Sequence, residues 1–459
     1  MSDRGFFFTT NKGNSYYYDD DTSNVKFQGN YEKSNFIFGN SQLQEASINR
    51  KELEDYLDDN SGSQLILLTT QACNIRCTYC VYSGNYENQR SHKREFMSVE
   101  TAKKAVDKYL KNFKQRKFKN PFDNPLIAFY GGEPFLNYEL IKEVVSFTKE
   151  KYHNKVQFST TTNAILLNDE KIHFLAKHSF ALSISLNGDR DEHDRMRVFK
   201  DGSGTYDIVM RNLSRIRELY PDYFKEYCQL LITIDTGSNL MKLRDFLKEN
   251  QSILPKIARI SQVGTSFTNW YDQYSAEEKE EFINSFNKLK SVYIDQVRSP
   301  DGIEADAFLK ILFSVPMFSI LNRSRNIPFQ SRRPAFLPYT GACVPGEKIA
   351  VDTSGNLHVC ERVNQTRSIG DVDHWLKISS IMRMIEDYQR NITKDCPNCP
   401  VHSLCDICYA GVLDGDGEFD KSYMEPNCQK IRTHIQKQFA EIWSLMEEGI
   451  LAEELIPNF

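Results

Sequence analysis

Six short apolar segments alternate with amphipathic helical segments between residues 65 and 263, and this alternation limits the fold more than any other feature of the chain. The apolar segments cover residues 65–68, 126–130, 156–159, 181–185, 229–234 and 257–263. Strands that alternate with helices indicate βα units and a parallel sheet. Six such units predict an α/β fold, a partial (β/α)6 barrel of the TIM type that is open on one side to a large substrate.

Three cysteines follow the first predicted strand in the spacing C-x₃-C-x₂-C, at Cys73, Cys77 and Cys80. Three thiolates on one tight loop can converge on one soft metal centre, and the missing fourth ligand leaves a coordination position free. Two plainer explanations stay open. The spacing could arise by chance, or it could belong to a zinc site whose fourth ligand lies elsewhere in the chain.

This cysteine loop resembles that of the radical S-adenosylmethionine (SAM) enzymes. Tyr79 stands where that family carries an aromatic residue that packs on the adenine of SAM. The resemblance implies a [4Fe–4S] cluster held by the three cysteines, with one iron that chelates SAM and cleaves it reductively to a 5′-deoxyadenosyl radical. Because such radical chemistry belongs to the cofactors, the task of the protein is to position them.

A Gly-Gly-Glu-Pro motif directly follows the second predicted strand and strengthens the resemblance. Two glycines at the carboxyl end of a barrel strand let a ligand approach the backbone, at the edge where barrel active sites lie. By resemblance, Gly131, Gly132 and Glu133 receive the methionyl ammonium group of SAM. On its own, the Gly-Gly pair would be an ordinary turn.

Polar side chains end the next two strands and are further candidates for contact with SAM. Asn163 follows the third strand and Ser185 ends the fourth, where small polar groups suit a ribose and a carboxylate. The resemblance assigns Ser185 to the ribose and Arg197 to the carboxylate, as a fork donor. Asn187 departs from the Asp that is common at its position, and each of these residues could equally be a strand cap.

A second group of cysteines resembles the SPASM domain, which holds auxiliary [4Fe–4S] clusters in radical SAM enzymes acting on peptides. By family pattern, the distal auxiliary cluster takes Cys396, Cys399, Cys405 and Cys428, and the nearer one takes Cys343, Cys360 and Cys408. Two residues separate Cys405 from Cys408, where the family usually has three. Viewed alone, the segment 396–408 would also pass for a zinc site, since C-x₂-C pairs are common zinc spacings.

Seven cysteines are one short of two fully ligated four-iron clusters, which predicts an open iron at the nearer cluster. An open iron suits a soft thiolate from a substrate. A water, Glu or His that closes the site is the alternative. Glu361, adjacent to Cys360, is a candidate either for that ligand or for a proton acceptor near the substrate.

Composition and charge limit the partners and the cellular location that we expect for the protein. The net charge of −5 predicts no general affinity for nucleic acid. The N-terminal residues lack a charged start followed by an apolar core, and no run of about 20 apolar residues occurs, so we expect a cytoplasmic protein without a membrane span. Eleven cysteines there favour metal or redox work over disulfides, and only Cys228 stands apart, as a buried strand thiol.

These patterns divide the chain into five regions. Residues 1–62 are a small β-rich or α+β unit with a hairpin and a short helix, and a candidate for binding a precursor peptide. The other regions are the partial barrel (63–300), a connector (301–340), the SPASM domain (341–430) and a C-terminal helix (431–459).

In combination the motifs most resemble the thioether-forming maturases of ribosomally made peptides, of the sactipeptide and ranthipeptide type. The resemblance implies hydrogen abstraction from a residue of a precursor peptide. Sulfur of a substrate cysteine, held at the nearer auxiliary cluster, then bonds to that carbon. The implied cofactors are three [4Fe–4S] clusters and SAM, and the implied partners are the precursor peptide and an electron donor such as flavodoxin or ferredoxin.

Other functions stay open at this point. One is oxidation of Cys or Ser to formylglycine, as in the anaerobic sulfatase maturases, and another is a carbon–carbon cross-link. A zinc-stabilised peptide-binding protein without catalysis belongs to a different class. Iron content separates that last alternative from the others, because three four-iron clusters need about twelve irons per chain.

Overall fold

The computed structural model describes residues 4–20, 23–28, 46–116, 124–152, 156–299, 306–322 and 334–455. Its strands are β1 (Gly5–Thr9), β2 (Ser15–Asp19), β3 (Asn24–Phe27), β4 (Gln64–Thr70), β5 (Leu126–Gly131), β6 (Gln157–Thr162), β7 (Ala181–Ser185), β8 (Cys228–Ile234), β9 (Lys256–Gln262), β10 (Lys348–Val351), β11 (Asn356–His358), β12 (Gly370–Asp371) and β13 (Trp375–Leu376). Its α-helices are α1 (Arg50–Asn60), α2 (Val99–Gln115), α3 (Tyr138–Lys151), α4 (Asp169–Lys177), α5 (Arg190–Met196), α6 (Tyr206–Leu219), α7 (Pro221–Tyr227), α8 (Leu240–Glu249), α9 (Ala276–Val297), α10 (Ala307–Leu309), α11 (Val315–Asn322), α12 (Ile378–Asn391) and α13 (Met424–Glu447).

The centre of the fold is a ten-stranded sheet in the order β13-β12-β11-β10-β4-β5-β6-β7-β8-β9. Strands β4 to β9 pair in chain order, and every one of these pairs is parallel. Helices follow the strands, as parallel connections require. The predicted partial barrel of six βα units is therefore confirmed, and the carboxyl ends of its strands share one rim.

Strand β4 is buried on both faces, as its continuous apolar sequence requires. Because neighbouring side chains alternate between the faces of a strand, Leu65 and Leu67 join the large core under the helices. Ile66 and Leu68 point to the other face, where they form a small separate cluster with residues of β5 and β10. Tyr130 packs against this inner cluster. The inner face of the barrel therefore begins with an apolar layer below the rim.

The cysteine-rich part of the chain is joined to the barrel by its sheet. β10 pairs in parallel with β4, with Lys348 opposite Gln64 and Val351 opposite Leu67. β11, β12 and β13 then continue antiparallel. The sequence did not predict this pairing, because a four-residue strand carries no local signal for a partner so far away along the chain.

Side-chain caps fix where the barrel helices begin. The Ser98 side chain accepts from the Thr101 backbone N–H at the start of α2. Asn168 caps α4 in the same way. Ser275 and Glu278 form a reciprocal capping box at the start of α9. These caps satisfy backbone donors that the first helical turn leaves free, and they set the direction of the helices behind the sheet.

The N-terminal strands β1, β2 and β3 form a small antiparallel sheet that packs on the C-terminal helix α13. Phe6 and Phe8 of β1 meet Phe439 edge-on, with ring centroids 5.2 Å and 5.5 Å apart. Phe8 also contacts Trp443 at 5.6 Å. Such aromatic pairs bury a large apolar area and favour tilted geometries. The predicted hairpin is confirmed, and it is fastened to the other end of the chain.

Two regions differ from the sequence-based boundaries. Residues 306–322 lie in the predicted connector but form a packed helix with a π-helical segment (Lys310–Ser314), because Phe308, Phe313 and Met317 recur on one buried side. Residues 323–333 of that connector lie outside the described residues. The C-terminal helix begins at Met424 rather than 431, since Pro426 is tolerated in a first helical turn. Within the described residues, no helix is long and apolar enough to cross a membrane.

Candidate active site

The first three cysteines lie on the loop after β4, at the rim of the barrel. Backbone hydrogen bonds tie this loop to the end of α5, from Arg76 N–H to Val198 O (2.7 Å) and from Thr78 N–H to Met196 O (2.9 Å). Burial, together with the charges of Glu133 and of the other two thiols, raises the pKa of the Cys73 thiol to about 12. A thiol of this kind is deprotonated when it coordinates a metal. The loop therefore gathers the three predicted ligands at one place.

The glycines of the Gly-Gly-Glu-Pro motif let β5 approach the cysteine loop closely. Gly131 has a φ of +138°, and a Cβ at Gly132 would overlap the carbonyl oxygen of Ala72. The Gly132 N–H donates to Thr70 O (2.8 Å) and the Glu133 N–H donates to Ala72 O (2.9 Å). Only glycine fits such a contact without displacing the backbone. The motif therefore fixes the start of the cysteine loop against β5.

Glu133 is a buried carboxylate with a full set of protein partners. One of its oxygens accepts from the Phe135 N–H (3.1 Å) and the Thr162 hydroxyl (2.8 Å). Its other oxygen accepts from the Asn163 N–H (2.9 Å). Burial raises its pKa, and these three hydrogen bonds work in the opposite direction. Glu133 thus holds the ends of β5 and β6 together, and its contact with the ammonium group of SAM stays a prediction.

Asn163 connects the end of β6 to the cysteine loop. Its Nδ2 donates to the Asn74 side-chain oxygen (2.8 Å) and lies 3.8 Å from the Cys73 sulfur. Its own side-chain oxygen accepts from the Ile165 N–H (3.0 Å). Ser185, at the end of β7, is partly exposed on the same rim. Asn163 therefore contacts the cysteine loop, and Ser185 ends the neighbouring strand on the same rim.

Arg197 and Tyr79 form a buried pair beside the three cysteines. The Arg197 guanidinium donates to the Tyr79 hydroxyl (2.6 Å), and Arg197 is only 5% exposed. Burial lowers the pKa of Arg197, but the charges of Cys77 and Tyr79 outweigh this and the net pKa is raised. The guanidinium therefore stays charged where a carboxylate of SAM is predicted.

Three buried donors around this site have no hydrogen-bond partner within the described residues, namely Asn74 Nδ2, Asn187 Nδ2 and Arg197 Nε. Asn187 is held in place by its side-chain oxygen, which accepts from the Thr233 N–H (3.1 Å). Buried donors are nearly always paired in folded proteins. A ligand that carries carboxylate and hydroxyl oxygens, as SAM does, would satisfy such a set. The residues present therefore fit the implied cofactor.

Electrostatic interactions connect cysteines of the second group, and their division into two clusters stays a prediction. Burial raises the pKa of Cys396 to about 12, and the thiols that add to this shift are Cys399, Cys405 and Cys428. Burial likewise raises the pKa of Cys360 to about 11, with contributions from Glu361 and Cys408. Cys343, predicted with the nearer set, is exposed. The charges of the Cys343 and Cys408 thiols are both among the causes that raise the pKa of the Tyr409 hydroxyl.

Within the described residues, no three or more Cys, His, Asp or Glu side chains are placed to share a single metal ion. In a four-iron cluster each thiolate binds a different iron, so its ligands lie farther apart than the ligands of one ion. The cysteine sets therefore stay candidates for cluster ligation.

Tyr82 lies between the first cysteine loop and the segment after β11 that carries Cys360. Its backbone N–H donates to the Cys80 sulfur (3.4 Å), and its hydroxyl donates to the Glu361 backbone oxygen (3.3 Å). The pKa of Tyr82 is raised to about 12, mainly by burial. The charge of Arg90 lowers this pKa, and the charges of Cys80, Glu361 and Cys360 raise it. The side-chain atom Oε2 of Glu361 is shielded from solvent and has no partner within the described residues.

The sequence missed Tyr82, Arg90 and Tyr130 as site residues. Tyr130 ends the apolar run of β5 directly before the glycines, and the charge of Glu361 is among the causes that raise its pKa. A tyrosine one residue before a Gly-Gly rim motif was a usable signal. Tyr82 and Arg90 carried none, because their place depends on Glu361, which lies far along the chain.

Comparisons with known proteins agree with this geometry. Residues 67–249 match the family model described as the radical SAM superfamily. The chain is 25% identical over 359 residues to a cysteine-type anaerobic sulfatase-maturating enzyme from Clostridium novyi, which covers 75% of this chain and 87% of that protein. It is 24% identical over 192 residues to the radical SAM cyclopropyl synthase TigE from Paramaledivibacter caminithermalis, 40% of this chain and 39% of that one.

A solved structure of native anSMEcpe with bound AdoMet and Cp18Cys peptide has a TM-score of 0.57 to this chain, at 17% identity. The alignment covers 85% of this chain and 99% of that one, which supports the fold. The chain therefore carries a radical SAM domain, which implies SAM and a [4Fe–4S] cluster. More particularly, it is homologous to the anaerobic sulfatase-maturating enzymes and to a radical SAM cyclopropyl synthase.

Proposed function

We propose that this protein is a radical SAM enzyme that oxidises a cysteine of a bound peptide to formylglycine, like the cysteine-type anaerobic sulfatase-maturating enzymes. The observation that carries the proposal is the extent of the similarity. The match to the Clostridium novyi protein covers 87% of that relative and is far longer than the radical SAM domain at residues 67–249. The sequence alone favoured thioether formation, and the comparisons support its alternative better.

Cys73, Cys77 and Cys80 would hold the SAM-binding [4Fe–4S] cluster. With SAM bound, this cluster supplies a carbon radical that can take hydrogen from an unreactive carbon. Asn163, Ser185 and the other rim residues would orient SAM through their polar groups, and Arg197 would bind its carboxylate. The Gly131–Glu133 backbone would hold the cysteine loop and the methionyl end of SAM together.

Two auxiliary [4Fe–4S] clusters would lie in the cysteine-rich region. The set Cys396, Cys399, Cys405 and Cys428 offers four thiols, which fills one cluster. The set Cys343, Cys360 and Cys408 offers three. An electron donor such as flavodoxin or ferredoxin would be the redox partner.

Glu361 is the proposed proton acceptor for the reacting residue. Its Oε2 atom is buried and unpartnered within the described residues, between the two groups of cysteines. A general base needs a free acceptor atom within reach of the proton it takes. The same carboxylate could receive the thiol proton of a substrate cysteine, which must be lost in formylglycine formation and in thioether formation alike.

Thioether formation is the second candidate, and the cysteine count favours it. The nearer set is one thiol short of a filled cluster, which leaves room for a cysteine of the substrate. Both outcomes use the same radical site and the same base. They differ in the fate of sulfur, which leaves the peptide in formylglycine formation and stays bonded to carbon in a thioether.

Mass spectrometry of a reacted peptide tests the proposal. Anaerobically reconstituted protein is incubated with SAM, strong reductant and cysteine-containing precursor or sulfatase peptides. Formylglycine replaces the cysteine sulfur by oxygen and removes two hydrogens, whereas a thioether removes two hydrogens and protects the cysteine from alkylation. Failure to convert SAM into methionine and 5′-deoxyadenosine would refute both candidates.

Two variants make the assay specific. Cys80→Ala should abolish SAM cleavage and lower the iron content by about four per chain. Cys228→Ala is the matched control, since Cys228 is buried in β8 away from both cysteine groups and should keep full iron. Zinc without iron in the purified wild-type protein would favour the non-catalytic alternative.

A further inference from the structure

Arg90 carries a positive charge that no carboxylate neutralises within the described residues. Its guanidinium lies over the Tyr82 ring, with Cζ 3.8 Å from the ring centroid. Its Nε and Nη2 atoms are shielded from solvent and have no hydrogen-bond partner in the part of the chain that the structure describes. The remaining contact is a long bond from Nη1 to Ser91 O (3.5 Å). Shielded charged donors are costly unless they are paired, so this arrangement calls for a ligand.

The position of Arg90 places that ligand between the two groups of cysteines. The residue on which Arg90 stacks, Tyr82, touches Cys80 through its backbone and Glu361 through its hydroxyl. This is the space where the proposed function needs the reacting residue of the peptide. The inference therefore rests on the proposed function and deepens it.

Glu361 does not neutralise the charge of Arg90, although both residues influence the pKa of Tyr82. The two side chains form no ion pair in the described part of the chain, and each has an unpartnered, shielded polar atom. A group with negative charge on the Arg90 side would complete the pairing.

Arg90 is also poorly placed to serve the cysteine loop alone. The Cys80 sulfur accepts from the Tyr82 backbone N–H and has the His92 ring nitrogen 3.9 Å away. Arg90 makes no hydrogen bond with that sulfur, and its charge is the last of the causes that act on the pKa of Cys80. The Nε and Nη2 edge of the guanidinium therefore has no hydrogen-bond partner within the described residues.

We propose that Arg90 binds a carboxylate of the peptide substrate, next to the residue that is modified. Nε and Nη2 form the edge of a guanidinium that matches the two oxygens of a carboxylate, and stacking on Tyr82 fixes the plane of the fork. The carboxylate belongs either to an acidic side chain beside the reacting residue or to the C-terminus of the peptide.

Binding of four fluorescent peptides to the reconstituted, oxygen-free protein tests this subsite. The first pair is acetyl-Ala-Ala-Cys-Asp-Ala-Ala-amide and its Asn counterpart, and the second is acetyl-Ala-Ala-Cys with a free carboxylate and with an amide. We expect one acidic member to bind at least about tenfold more tightly than its neutral partner, the usual scale of a charge-assisted hydrogen bond. The pair that shows the preference identifies the source of the carboxylate.

Arg90→Gln should remove the preference while leaving the neutral peptides bound as before, and Arg90→Lys should restore part of it. Arg94→Gln is the control, since Arg94 is exposed in the same segment. Equal binding of acidic and neutral peptides, no binding of any peptide, or equal weakening of all peptides by Arg90→Gln would overturn the proposal. A protein that prefers the acidic peptide but does not cleave SAM would instead refute the proposed function and leave this subsite standing.

Discussion

Asp20 connects the N-terminal strands to the cysteine-rich region. Its replacement by alanine should lower both the stability of the protein and its iron content. Asp20 is 1% exposed. Its carboxylate accepts from the Ser403 hydroxyl (2.6 Å), the Ser403 N–H (3.3 Å) and the Tyr18 hydroxyl (3.0 Å), and it pairs with the His402 ring. His402 and Ser403 lie between Cys399 and Cys405, so the contact reaches the four-cysteine set directly.

The magnitude follows from what Asp20→Ala leaves behind. Four donors that now meet one buried carboxylate would be left without it, and each buried donor that loses its partner costs about 1–3 kcal/mol. Asp20→Asn keeps the shape and part of the hydrogen bonding but removes the charge, so we expect a smaller loss. The free energy of unfolding, from denaturant titration, should fall in that order.

Iron content is the second readout of this prediction. Because the carboxylate supports the loop between Cys399 and Cys405, Asp20→Ala should also lower iron incorporation, by up to about four irons per chain. Asp245→Ala is the control, since Asp245 is exposed on α8. A loss of stability below about 0.5 kcal/mol, the usual effect of a surface substitution, together with unchanged iron would refute this account of Asp20.

Three further predictions concern the rim, the loop after β8 and the N-terminal sheet. Gly132→Ala should reduce SAM binding, measured by equilibrium dialysis, because its Cβ overlaps Ala72 O; Gly264→Ala, where a Cβ meets its nearest atom at 3.9 Å, should not. Asp235→Asn should lower the free energy of unfolding by about 1–3 kcal/mol, since this buried carboxylate accepts from the side chains of Arg195, Ser238, Trp270 and Tyr274. Phe7→Ala should weaken peptide binding in anisotropy titrations without loss of stability if the N-terminal sheet binds the precursor, because Phe7 is 60% exposed.

Much of the barrel was predictable because its strands are buried and its helices amphipathic. The first predicted strand at 65–68 corresponds to β4 (Gln64–Thr70), and the last at 257–263 to β9 (Lys256–Gln262). The pairing of β10 with β4 was not predictable, since hydrophobic periodicity identifies a strand but not its neighbour. The helix at residues 306–322 was missed because the prolines and arginines that follow it suggested a connector.

The site was predictable where its chemistry lies in one stretch of sequence. The cysteine spacing and the Gly-Gly-Glu-Pro motif can each be recognised within a few residues. The structure places the two motifs together at one rim. The environment of Arg90 could not be predicted from the sequence, because it depends on contacts with Tyr82 and on Glu361, which follows β11 far along the chain. Deletion of residues 1–60 would be a poor test of precursor binding, since it would also remove Asp20 and the aromatic contacts to α13.

The parallel pairing of β10 with β4 has a consequence for synthesis of the chain. Their paired residues are separated by 284 positions. At 5–20 residues per second, the ribosome needs roughly 15–60 s to deliver the second strand after the first. During that time one edge of β4 has no partner in the growing polypeptide, and unpaired strand edges invite aggregation. Nascent chains that stall before residue 348 should therefore depend on chaperones far more than those that stall after residue 351.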